Sequence, residues 1–99
     1  MRSFILLYHG PKTAPGASHE GWPDWFQRAG EKLVDRGSPM AGGFVIHSDG
    51  TTSEVATGFN GFSIVRAADR TDVVALTRDH PFLAAGHEYS IEVFEVPGK

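Results

Sequence analysis

Ninety-nine residues, 40% hydrophobic and 21% charged, make one soluble globular domain with a single modest core. A net charge of -3 excludes the basic face of a nucleic-acid binder, and no run of about 20 apolar residues is available to span a membrane. Cysteine is absent, which removes disulfides and thiolate chemistry and sets the expectation of a reducing, cytoplasmic location.

In chain order, the apolar run Phe4-Ile5-Leu6-Leu7 is too short for a signal peptide. Ser3–His9 reads instead as a strand buried on both faces. Gly10–Gly21, rich in glycine and proline, is a predicted loop. A helix is predicted from Trp22, with Pro23 at its first position and Asp24 at the positive end of its dipole. Trp22, Trp25, Phe26, Ala29 and Leu33 form its apolar stripe as far as about Asp35, and Gly37 supplies a left-handed cap. Met40–His47 is the predicted second strand, weakened by Gly42-Gly43, and Asp49-Gly50 is a hairpin turn. Thr51–Thr57 reads as a polar hairpin tip, and Gly58–Arg66 as the next strand. Asp69 caps a second helix whose stripe is Val73, Leu76, Thr77 and His80, and Pro81 ends it. Tyr89–Val96 is the last strand. The order β-α-β-β-α-β is an α+β, ferredoxin-like domain spanning residues 1–99, with a four-stranded antiparallel sheet and both helices on one face.

Two helices cover one sheet face, yet the first strand is apolar on both. An open apolar face of several hundred square ångströms is unusual in a monomer. A homodimer, sheet against sheet about a two-fold axis, is the economical solution. Ser63, Gly61 and Glu92, assigned to that face, admit two readings: a cavity between the sheets for a small ligand, or a dry, purely structural dimer interface.

The candidate pocket residues are His9, Ser63, His80 and Glu92, with His80, Glu92 and His9 as candidates for acid–base chemistry. The strand directions place all five histidines at one pole of the domain, His9 and His87 being the closest pair. The absence of His-x-His or His-x-x-x-His spacing argues against a metal site there, and no cofactor is expected. His80 has two readings: a helix-end histidine satisfying a carbonyl, or a catalyst. Glu92, between Ile91 and Val93, points between the sheets for proton transfer, or else forms an ion pair with Arg66 or Arg2. Gly58–Phe62 has the topology but neither the spacing nor the charge of an RNA-binding strand. No phosphate-cradling loop and no activated nucleophile is present.

Phe4–Gly10, Trp22–Asp35 with Gly37-Ser38-Pro39, Ser48-Asp49-Gly50, Gly61–Val65 and His80–Leu83 through Ile91–Val93 together resemble the YCII-related domain family, in its DGPF-type branch. The resemblance implies a ferredoxin-like fold paired into a dimeric α+β barrel. Some relatives are lyase- or isomerase-like enzymes on small aromatic-derived acids, and others accompany sigma factors. In the enzyme-like branch a first-helix histidine and an acid before the helix-ending proline are the proposed acid–base pair. Here those places hold Trp25-Phe26 and His80, with Asp79 one step earlier, so the pair is not carried over. The acidic-proline turn is likewise altered, to Asp49-Gly50-Thr51-Thr52. Two functions follow: a small-molecule-binding or regulatory dimer, and a cofactor-independent lyase- or isomerase-like enzyme acting on a small organic acid. The incomplete pair favours the first.

Overall fold

In the computed structural model, residues 1–11, 21–55 and 58–98 are described. The strands are β1 (Arg2–His9), β2 (Leu33–Pro39), β3 (Phe44–Ile46), β4 (Thr52–Glu54), β5 (Phe59–Ala67) and β6 (Ser90–Glu95), and the helices are α1 (Trp22–Ala29) and α2 (Arg70–Thr77). Four strands form one sheet in the order β2-β5-β1-β6, while β3 and β4 form a separate two-stranded ribbon. All pairings in the sheet are antiparallel. This is the ferredoxin-like arrangement anticipated from the element order.

Side-chain alternation divides the sheet into two unlike faces. Phe4, Leu6 and Tyr8 of β1 are buried under the helices, opposite Val65, Ser63 and Gly61 of β5. Trp25 and Ala29 from α1 and Val73 and Thr77 from α2 close over them. Ile5 and Leu7 point the other way, opposite Ile64 and Phe62, and are only half-buried. The stripe residues that lie within the helices therefore do face the core, but α2 ends at Thr77, so His80 is reached by the chain beyond the helix and not by the helical stripe. Asp69 caps α2 as expected, its carboxylate accepting the Asp72 N–H at 2.9 Å. The Trp25 indole N–H donates to the Leu76 carbonyl at 3.0 Å and ties the two helices together.

The middle of the chain departs from the predicted layout. α1 stops at Ala29, because Gly30 takes φ 53 and the chain leaves through a short 3-10 turn at Gly30–Lys32. Leu33 prolongs the helical stripe by coincidence; it is a strand residue opposite Val65. The second sheet strand is thus β2, not Met40–His47. Gly37 does have the expected left-handed φ of 79°, but it sits at a bulge of β2 where a Cβ would lie 1.5 Å from the Phe62 carbonyl oxygen. A bulge, not a helix cap, requires the glycine. Within Met40–His47 only Phe44–Ile46 is extended, and it pairs with Thr52–Glu54 across the Asp49-Gly50 turn. Asp49 accepts the Thr51 N–H at 2.9 Å and the Thr51 hydroxyl at 2.6 Å. Most of the Gly10–Gly21 loop, including His19, and the end of the polar hairpin segment lie outside the described residues.

Candidate functional site: a buried relay and an open sheet face

Tyr8 ends the buried row of β1 with a hydroxyl that needs a partner in the core. It has two, contributed by different elements. The Tyr8 hydroxyl donates to Ser63 Oγ of β5 at 2.8 Å, and His80 Nε2, just beyond α2, lies 3.1 Å from the same hydroxyl. Ser63 donates onward to the Arg36 carbonyl at 2.7 Å, and the Phe82 N–H donates to His80 Nδ1 at 3.0 Å.

These partners assign the protons. A backbone N–H only donates, so His80 Nδ1 is the acceptor and Nε2 carries the hydrogen. The chain then runs in one direction: Phe82 N–H to His80, His80 to Tyr8, Tyr8 to Ser63, Ser63 to the Arg36 carbonyl. Its side chains are shut away from water, His80 and Ser63 completely. Trp25 and Trp22 pack on the imidazole with ring centroids 4.2 and 4.7 Å away. Burial therefore lowers the His80 pKa to about 4, an effect reinforced by Arg28 and opposed by Asp79. The same desolvation pushes the Tyr8 phenol up to about 12, against the hydrogen bond with Ser63. Both groups are neutral at physiological pH. Among the described residues no buried side-chain polar atom lacks a partner.

The four predicted pocket residues are thus split between the two sides of the sheet. Ser63 and His80 come together, but under the helices, so assigning Ser63 and Gly61 to the helix-free face is corrected by the β-strand parity. The His80 ring does not satisfy a helix-end carbonyl, since it accepts from Phe82 and bonds to Tyr8; only its backbone N–H donates to the Thr77 carbonyl, at 3.0 Å. Glu92 stands opposite Leu7 and His9 opposite Ser90, which puts both on the helix-free side. Glu92 is exposed on the single chain, and the ion pair of Arg2 is with Glu95, at 3.8 Å. His9 makes an edge contact with Phe59 at 5.4 Å between ring centroids. Of the histidines, His80 is in the core and bonds to Tyr8 beside His9, and His47 bonds to Ser53 Oγ in the ribbon. Among the described residues no group of three histidines or acids is placed to hold a metal ion.

The relay has a member that sequence reading missed. Tyr8 was visible only as the aromatic end of a strand. The available signal was its alternation with Phe4 and Leu6, which commits the hydroxyl to the interior. Asp79, beside His80 in sequence, turns outward to pair with Arg28.

The fold and this partition define a ferredoxin-like α+β domain with a sealed helix side and an open apolar sheet face. The chain belongs to the YCII-related domain family, whose model matches residues 1–97. No curated protein matches it significantly. Among solved structures it is similar to the 5-chloro-2-hydroxyhydroquinone dehydrochlorinase of Burkholderia phenoliruptrix, determined in complex with 2,5-dihydroxybenzoquinone. The TM-score is 0.60 at 16% identity, over 93% of this chain and 90% of that one. At that identity the likeness is one of fold.

Proposed function

We propose that the protein is a non-catalytic, small-molecule-binding or regulatory homodimer whose ligand occupies a cavity between two paired helix-free sheet faces. One observation carries this reading: Ile5, Leu7, Phe62, Ile64 and Phe94 form an open apolar surface, while the buried acid–base groups are satisfied by one another. Open apolar area favours a partner of the same kind. A ligand held there meets Glu92 and His9 as polar contacts, whereas Ser63 and His80 stay behind the sheet. The Asp49-Gly50 turn keeps the first half of the DGPF-type motif, and membership of that branch is part of this reading. So is a cytoplasmic location, which suits a chain free of cysteine.

The second reading is a cofactor-independent lyase- or isomerase-like enzyme, and the dehydrochlorinase activity of the structural neighbour supports it. It requires Glu92 and His9 as the acid–base groups. The family's proposed pair is replaced here by Trp25-Phe26 and His80, and Trp25 packs on the His80 ring.

Light scattering at micromolar concentration and calorimetric titration with 2,5-dihydroxybenzoquinone as probe test both. The binding reading expects a dimer, saturable binding weakened by Glu92→Gln, and no consumption of the probe. A monomer overturns it. Turnover of the probe abolished by Glu92→Gln replaces it with the enzyme reading.

A further inference from the structure

The β3–β4 ribbon is a misfit on a single chain. Its strands are three residues each, and an isolated two-stranded hairpin is marginal in water. It hydrogen-bonds within itself and not to the main sheet. Phe44 and Ile46, side by side on one face, are 62% and 69% exposed, with Met40, Val45 and Val55 also open. Phe44 is paired across the ribbon with Glu54. The face that would be expected to seek a core points at solvent.

The same chain carries a surface of matching character. A depression of about 660 Å³ lies between α2 and the helix side of β6, lined by Val73, Val74, Ile91 and Val93, with Arg70 beside them. Ribbon and depression cannot meet within one chain. The ribbon springs from Pro39 and Asn60 at the β2–β5 side, and Met40 N–H donates to the Asn60 carbonyl at 3.0 Å there. The depression belongs to β6, at the opposite edge of the sheet.

We infer that the ribbon is an arm that docks on a second copy of this chain, laying Phe44 and Ile46 into the depression between α2 and β6 of that copy. Two-fold symmetry makes such a contact isologous, so both arms and both depressions are covered in one closed pair. Glu54 beside Phe44 and Arg70 beside the depression supply opposite charges at the contact, while Glu95, which also lines the depression, is paired with Arg2 at 3.8 Å.

Arm docking goes beyond the sheet pairing proposed above, and the two can fail separately. Ile46→Asp and Phe44→Asp lie outside the core, so circular dichroism should be unchanged. Each should raise the dimer dissociation constant at least tenfold by sedimentation. Because the chain has no cysteine, Ile46→Cys and Val74→Cys chains can be mixed and oxidised. A crosslinked heterodimer is expected, and Val74→Cys chains alone should not form it. If a dimeric sample gives no mixed disulfide, or if the dimer ignores both arm substitutions, the ribbon is free for some other partner and the inference is overturned. A monomeric wild-type chain overturns it together with sheet pairing. Dissociation by Ile46→Asp combined with indifference to Leu7→Asp upholds the arm and removes the sheet pairing.

Discussion

The two faces of one sheet show opposite solutions to burial. Under the helices, Tyr8, Ser63 and His80 are polar groups in an apolar place, and each has a partner. Across the sheet, Leu7, Phe62, Ile64 and Phe94 are apolar groups left in reach of water. In a reactive-looking cluster whose polar side-chain atoms all have partners, a ligand would have to displace a bond already made. The helix-free face, which also carries Glu92 and His9, is the one with apolar area still to bury.

The sharpest test of the sealed side is Trp25→Ala, which removes a fully buried indole together with its bond to Leu76. It should cost about 3–5 kcal/mol in denaturant unfolding. A cost below about 1 kcal/mol would mean that the helix side is not the packed one.

Acid should act next most strongly, through His80. Its pKa is about 4 in the folded chain, below the ordinary value of 6.5. Above pH 6.5 the ring is neutral whether folded or not, and its burial is undisturbed. As pH falls towards 4, the unfolded chain takes up a proton that the folded chain refuses, so stability is lost. The loss should approach about 3 kcal/mol by pH 4. His80→Gln should flatten that part of the profile. An unchanged slope in the variant would place the pH dependence elsewhere.

Tyr8→Phe keeps the ring and removes the central hydroxyl, which leaves His80 Nε2–H without its acceptor. A loss of about 1–3 kcal/mol is expected by thermal unfolding, with little change in dimerisation. Phe94→Ser, on the other face, should do the reverse. Phe94 is 55% exposed, so the cost to the dilute, monomeric chain should stay within about 0.5 kcal/mol. If the proposed sheet pairing holds, the concentration dependence of melting should nevertheless weaken, because the lost area would belong to the pair. If Phe94→Ser destabilises dilute and concentrated protein equally, the contrast between the faces fails.

Local chemistry was legible in the residues themselves. Pro23 and Asp69 mark helix starts through backbone sterics and capping, which need no distant partner, whereas α2 stops at Thr77, before Pro81 is reached. The alternation of Phe4, Leu6 and Tyr8, and the order of the elements, were enough for the ferredoxin-like frame. Asp49-Gly50 announced its turn for the same local reason. The second strand was hidden because Leu33 satisfies helical and strand periodicity at once, and because the glycine needed at its bulge resembles a helix cap.

What tertiary structure alone decided is which side of the sheet each polar residue serves. Ser63 and Glu92 both interrupt apolar strands, and nothing local separates them. A shift of one residue in register reverses every side chain on a strand, and register is set by pairing with β1, far away in sequence. His80 could be placed at a helix end from its neighbours, but its burial against Trp25 and its bond to Tyr8, 72 positions away, exist only once helix and sheet are packed. Sequence determines what each segment can form by itself; long-range packing determines which groups water can still reach, and function follows from that access.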